Sequence, residues 1–308
     1  MVVTSLDTVP ALPQMRELKL DDRALIEGLL AREPRDASEL TFTNLFIWRD
    51  AYSLRLSQAD GALLMFSWRA DAEDSFLLPP LGARDGAAVV EAGLRHLRES
   101  GHDPKLGRVS AAQLGRLGIT AERFDLQPDR DNWDYVYLVR DLVELAGEKY
   151  HGKRNHVAQF MAENRDWEYR RLTPDLVAGC EAVQDLWCDE KHCDLYSSLR
   201  AEARAVKEAL RNLDRLSAIG GCIVIAGKVE AFTLGEPLNE DTVTIHLEKA
   251  NAAFHGLYQV INQQFLKREW QRFTYVNRQQ DLGVEGLRKA KESYRPHHMV
   301  EKYVVRLG

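Results

Sequence analysis

Hydrophobic and polar positions alternate with two periods along this chain, and the order in which the periods follow one another occurs twice. In the first half, "RELKL" predicts a short strand and "DDRALIEGLLARE" a helix opened by aspartate. "ASELTFTNLFIWRDAY" predicts a second helix, with Leu40, Asn44, Ile47 and Tyr52 near one stripe. "SLRLSQADGALLMFSW" predicts two strands around an Asp-Gly turn, and "SFLLPPLG" a strand stopped by two prolines. "RDGAAVVEAGLRHLRESG" is a helix ending at Gly101, while "KLGRVS" and "WDYVYLVR" read as strands.

The second half repeats this succession. "KRNHVAQFMAEN" is a helix, "WEYRRL" a strand, and "PDLVAGCEAVQDLWCDEKH" and "SLRAEARAVKEALRNLD" are helices. Three strand candidates follow: "RLSAIGG", "CIVIAGKVEAFTLGEPL" (two strands around Ala226-Gly227) and "DTVTIHLEKA". Helix "HGLYQVINQQFLKREW", strand "RFTYVN", helix "VEGLRKAKESY" and strand "MVEKYVVRL" complete the chain. The implied fold class is α+β (mixed α/β). Each half carries a mostly antiparallel mixed sheet flanked by helices, and this order resembles the GNAT acyltransferase architecture twice over. The expected division is a flexible tail over 1–14, a mainly structural domain over 15–140, and a domain over 141–308 carrying the active site.

Composition and charge narrow the function. The chain has 308 residues, 45% hydrophobic and 29% charged, enough for two sizeable cores. Its net charge of -6 excludes a general nucleic-acid binder, so any polyanion must meet a local basic patch. No apolar run of membrane-helix length and no signal-peptide pattern is present, so the expectation is a cytoplasmic protein with reduced cysteines. "CDEKHC" places Cys188 and His192 four apart, but further ligands at zinc spacing are missing, and no metal is expected.

Basic residues gather in two places. "EKYHGKRNHVAQF" crowds a helix opening with Lys149, His151, Lys153, Arg154 and His156, where the helix dipole disfavours positive charge. Tyr150, Arg154, Val157 and Met161 share a stripe, so Arg154 should turn inward to a carboxylate or carbonyl partner. Lys153 and His156 are left to face an anion. The second place is "YVNRQQDLGVEGLRKAKESYRP", a polar turn at a strand's C-terminal end followed by a basic helix. From Glu285 to Arg306 it carries six Arg or Lys against three Glu. If the two surfaces converge, they make an anion site inside an acidic protein. Strand "DTVTIHLEKA" adds a candidate base. Alternation puts Val243, Ile245 and Leu247 on one face and Thr242, Thr244, His246 and Glu248 on the other. The turn "HG" before the next helix is a weak phosphate cradle, with Gly256 its one glycine.

The strings "GEKYHGKRNHVAQF", "IHLEKANAAFHGLYQVINQQF", "YVNRQQDLGVEGLRKAKESYRP" and "TFTNLFIWRDAY" resemble the bacterial family related to the C-terminal domain of phosphatidylglycerol lysyltransferase, over about residues 15–305. The resemblance implies tandem GNAT folds and transfer of an aminoacyl group from aminoacyl-tRNA to an amine or hydroxyl of a small molecule or lipid headgroup. Lys291, Tyr294 and Pro296 match the family's closing lysine helix and aromatic-x-Pro. The chain lacks the family's membrane-embedded half, and the glycine-rich pyrophosphate loop of CoA-using enzymes is missing after "IHLEKA". The expected catalytic residues are Glu248, His246 and Lys291. Donor or anion contacts are expected from Lys153, His156, His255, Gly256, Asn277, Arg278, Asp281, Gly283, Arg288 and Tyr294. No tightly bound cofactor is expected; aminoacyl-tRNA or acyl-CoA serves as co-substrate. The alternatives are an acyl-CoA-dependent N-acyltransferase and a non-catalytic GNAT-like protein binding a small anion. A purely structural role for "GKRNH", paired with acidic loops such as "RADAEDS", stands beside them.

Overall fold

The structure, a computed structural model, describes residues 5–308. In chain order the elements are β1 (Arg16–Glu17), α1 (Arg23–Leu30), α2 (Phe42–Trp48), β2 (Leu54–Ala59), β3 (Ala62–Ser67), β4 (Phe76–Leu77), α3 (Gly86–Glu99), β5 (Lys105–Ser110), α4 (Ala111–Leu117), β6 (Phe124–Pro128) and β7 (Asp134–Leu138). Then come α5 (Val139–Glu144), α6 (His151–Glu163), β8 (Trp167–Arg171), α7 (Val177–Lys191), α8 (Ser197–Arg211), β9 (Ile219–Ile225), β10 (Lys228–Pro237) and β11 (Thr242–Ala250). Last are α9 (Leu257–Phe265), β12 (Tyr275–Asn277), α10 (Glu285–Glu292), β13 (His298–Val300) and β14 (Lys302–Leu307). Helix α4 and strand β6 escaped the pattern reading. Among the described residues no helix is long and apolar enough to cross a membrane.

Two compact units result, one of residues 1–134, 280–283 and 300–308, the other of 135–279 and 284–299. The boundary expected at Arg140 therefore moves to Asp134–Tyr135, and the two units share the C-terminal segment. The first unit's sheet runs β1-β2-β3-β4-β5-β14-β6 and the second's β13-β7-β12-β11-β10-β9-β8. "MVEKYVVRL", expected as one strand, is thus two strands in different sheets. The tail expected over 1–14 is docked where it is described. Val9 is buried, and Gln58 bonds Pro10 and Leu12 through the backbone; residues 1–4 lie outside the described residues.

Local chemistry explains the elements. Asp60-Gly61 and Ala226-Gly227 both adopt positive φ, the conformation a two-residue hairpin turn requires, so β2–β3 and β9–β10 close as expected. Asp85 caps α3 through Ala88 N at 3.1 Å, and Ser110 and Gln113 form a reciprocal capping box on α4. The first core gathers Leu64, Phe66, Val90, Leu94, Leu106 and Val305 under α3. The second gathers Tyr137, Phe160, Val243, Ile245, Ile261 and Phe265 between α6, α9 and the sheet.

Two features were not read from the sequence. In the first unit Lys302 is fully buried, its Nζ 2.6 Å from Glu39 Oε2 and 2.8 Å from Asp134 Oδ1. Asp134 also accepts from Ser38 N at 2.7 Å and Ser38 Oγ at 3.0 Å. In the second unit Cys188 and Cys193, expected reduced, are joined by a disulfide with Cα atoms 5.0 Å apart. A left-handed His192 ends α7 and turns the chain so that the two sulfurs meet. Cys180 and Cys222 remain buried thiols, and burial pushes Cys222 up to about 11.

Candidate functional site

Strands β11 and β12 are parallel and pair over three positions, ending at Thr244 opposite Asn277, while β11 runs on to Ala250. Beyond Thr244 the two strands part. On its other side β11 pairs with β10, and the register slips there. Leu234 faces Leu247 but Gly235 faces Ile245, so His246 is the extra residue of a bulge. Gly235 permits it, because a Cβ there would stand 2.7 Å from Thr244 O.

The bulge inverts the alternation. Val243 and Ile245 pack with α9, as expected, but so does Glu248, which accepts from Asn262 Nδ2 of α9 at 3.2 Å. His246 stays on the opposite face with Thr244. Its Nε2 lies 2.8 Å from Glu236 Oε1, both side chains are buried, and among the described residues His246 Nδ1 and Thr244 Oγ1 have no hydrogen-bond partner. Lys249, on that same face, is bonded to Glu202 of α8 at 2.5 Å, with Nζ 3.2 Å from the centre of the Trp187 ring on α7. Burial lowers its pKa. His246 and Glu248, expected together, are therefore separated by the sheet.

Around Glu248 the structure assembles residues from both basic stretches. Arg278 Nη2 lies 3.0 Å from Glu248 Oε1, and its guanidinium is 5.1 Å from the Tyr294 ring and 6.0 Å from Tyr137. Lys291 Nζ donates to Arg278 O at 2.5 Å and lies 5.8 Å from the Tyr135 ring; Tyr137 returns a bond to Lys291 O at 2.9 Å. From α6, Lys153 Nζ sits 4.2 Å from the Tyr294 ring. Among the described residues no carboxylate pairs with Lys153. Burial first, and the Arg278 charge second, hold its pKa below the usual lysine value. Burial, aided by Glu248 and opposed by Arg278, pushes Tyr294 up to about 12, so its hydroxyl stays neutral. Burial also raises Tyr137. The cluster thus offers one carboxylate, three cations and neutral phenols. Helix α10 contributes by its inner stripe: Arg288 and Lys291 are half-buried while Leu287 faces out.

The remaining expected residues divide. His156 Nδ1 and His255 Nε2 are 2.7 Å apart, beside Gly256 at the start of α9. Asn277 is buried and holds the turn after β12 by accepting from Gln279 N at 2.8 Å. Asp281 and Gly283, read as ligand contacts, belong to the first unit. Asp281 is fully buried, paired with Arg130 at 3.2 Å and accepting from Gly283 N at 2.9 Å. These contacts set the turn's shape. Arg154 donates to Leu145 O and, at 2.6 Å, to Gly147 O, the carbonyl partnership its inward stripe demanded. Tyr137, Asn262 and Glu236 were missed. Tyr137 and Asn262 carried the weak signal of a polar group on an apolar face of "DYVYL" and "LYQVINQQF".

Known proteins place this arrangement in context. A protein of unknown function from Bacteroides thetaiotaomicron shares 34% sequence identity, superposes with a TM-score of 0.86, and matches 96% of this chain and 99% of its own. L-PGS from Bacillus licheniformis, at 17% identity, shares the fold with a TM-score of 0.60 over 92% of this chain and 90% of its own. An uncharacterised protein of Mycoplasmoides gallisepticum is 21% identical over 184 residues, 56% of each chain, so this chain spans about half the length of that curated relative. The family model described as phosphatidylglycerol lysyltransferase, C-terminal, matches residues 30–306, in agreement with the resemblance read from the motifs. The chain belongs to the phosphatidylglycerol lysyltransferase C-terminal family.

Proposed function

We propose that the chain is an aminoacyl transferase built from two GNAT-like domains, moving an aminoacyl group from aminoacyl-tRNA to an amine or hydroxyl, with the site in the second unit. The observation that carries this reading is the Glu248 carboxylate held between Arg278 and Asn262 where β11 and β12 part, with Lys153 set over the neighbouring Tyr294 ring and, among the described residues, without a carboxylate partner. The acceptor attacks the donor carbonyl and its proton passes to Glu248, Lys291 and Arg278 hold the donor phosphate or the developing oxyanion, and collapse of the tetrahedral intermediate breaks the ester to the tRNA ribose, whose oxygen leaves with that proton. A donor anion that engages Arg278 also relieves Glu248 of its partner, so donor binding frees the base. The turn before α9 favours RNA over CoA as donor, since it offers one glycine and is pressed onto α6, where a Cβ on Gly256 would stand 2.3 Å from His156 O. A lipid headgroup is a fitting acceptor, because the family model that the chain matches is described as that of a phosphatidylglycerol lysyltransferase.

A second reading, a non-catalytic anion binder, draws on the engagement of both Glu248 oxygens. The experiment that separates them supplies tRNA charged with radiolabelled amino acids and a total lipid extract, and follows label into the lipid. Transfer by the native chain, lost in Glu248→Gln and Lys291→Ala with RNA binding retained in Glu248→Gln, supports the transferase. Unchanged turnover in both variants refutes it, and RNA binding without turnover leaves the binder.

A further inference from the structure

His156 and His255 meet across two elements, with ring centres 4.7 Å apart and facing nitrogens at 2.7 Å. The contact is built into the backbone. Gly256, next to His255, has φ +80° and no room for a Cβ against the His156 carbonyl, so the turn is seated on α6. At 2.7 Å one of the facing nitrogens must carry a hydrogen and the other a lone pair. The nitrogens left over, His156 Nε2 and His255 Nδ1, then offer one N–H and one lone pair, whichever way the shared hydrogen lies. A single added proton converts that lone pair into a second donor and gives the pair a positive charge.

The surroundings select the ligand. Lys153 lies one helical turn back on α6 and acts on His156, and Arg278 acts in turn on Lys153. Among the described residues no carboxylate lies within ion-pair distance of either imidazole. No group of three or more His, Cys, Asp or Glu suited to a metal ion exists among them either. A metal cation would therefore meet only positive neighbours, whereas an anion meets three donors. Burial first, with His255 and Lys153 adding to it, holds His156 below the ordinary histidine range, so its imidazole favours the neutral form near pH 7.

We propose that His156, His255 and Lys153 form a phosphate subsite that fills together with one proton. The inference rests on reading the Lys153–Arg278 end as the face for a phosphate-bearing donor. It adds that the donor presents a further phosphate to the imidazoles, and that its affinity follows pH.

Calorimetric titration of the full chain with the trinucleotide CpCpA tests this. Its two phosphodiesters keep their charge between pH 6 and 8, so any proton taken up belongs to the protein. Repeated in two buffers of different ionisation heat, binding should take up about one proton, and affinity should fall by up to about tenfold per pH unit. His255→Asn and His156→Asn should bind CpCpA without proton uptake and with a flat pH profile, at an unchanged melting temperature. Proton-free binding by the native chain, or uptake that persists in both variants, overturns the subsite. If those variants are silent but Lys153→Met weakens binding, the donor reading stands and this inference falls. If the native chain binds no CpCpA, both fall.

Discussion

Exchanging Arg278 and Glu248 singly and together measures how the site is held. The pair is 3.0 Å apart with side chains only 16% and 14% exposed, so breaking it from one side strands a nearly buried charge. Loss of one partner from such a pair costs about 3–5 kcal/mol, and the residual exposure argues for the lower end. Arg278→Met should therefore cost about 3 kcal/mol, to which lost contact with the Tyr294 and Tyr137 rings adds roughly 1 kcal/mol. Glu248→Gln should cost less, about 1–2 kcal/mol, since glutamine still accepts from Asn262 and the rings still face the guanidinium. The double variant should recover a coupling of about 2 kcal/mol, because no charge is then left alone. Urea unfolding followed by circular dichroism, with hydrogen exchange of the β12 amides as the local readout, gives all four corners. The same cycle bears on function: Glu248→Gln frees Arg278 and should bind phosphodiesters several-fold more tightly while losing transfer. Additivity within about 0.5 kcal/mol, or weaker anion binding by Glu248→Gln, would refute the argument that the pair is one electrostatic unit.

Other outcomes are as definite. Lys302→Met leaves Asp134 and Glu39 facing each other in the first core, and should cost about 3–5 kcal/mol in urea unfolding; Glu39→Gln added to it should restore part. His96 stacks on Trp68, and burial holds its pKa below 6.5, with Glu99 opposing and His102 assisting. The folded chain therefore resists a proton that the unfolded chain accepts. This contribution to stability is present in full above pH 6.5 and is lost as pH falls below it, with a slope of up to about 1.4 kcal/mol per pH unit. Urea midpoints at pH 7.5 and 5.5 should converge in His96→Gln; an unchanged pH slope there would count against burial as the cause. Thiol titration in denaturant without reductant should find Cys180 and Cys222 alone, and four reactive thiols would contradict the Cys188–Cys193 bond.

What could be read in advance follows the range of the forces involved. Hairpin turns, the glycine stop after α3 and the inward lean of Arg154 depend on neighbours a few positions away, and these were legible. The meeting of Lys153 with Arg278 and Tyr294 was left open, because periodicity marks two basic stretches without saying whether the fold joins them. The bulge at His246 was not legible. It depends on Gly235 of the neighbouring strand, and one extra residue is enough to send Glu248 and His246 to opposite faces. The polar turn around Asp281 looked like a ligand loop because its partner, Arg130, stands 151 positions earlier. Strand propensity likewise marked "MVEKYVVRL" without saying that its two parts pair in different sheets.

That last division bears on how the chain is made. Strand β14, the final element, lies inside the first sheet, between β5 and β6. Until it arrives, β5 and β6 present open edges, and Asp134 and Glu39 lack their lysine. A ribosome thus emits the whole of the second unit's sequence before the first unit can close. The second unit lacks only β13 for its own sheet and can collapse sooner, so synthesis order and folding order run opposite ways. A chain cut before β14 would fail to close the first sheet, whose other strands all precede the second unit. Its exposed strand edges would mark it for aggregation or degradation.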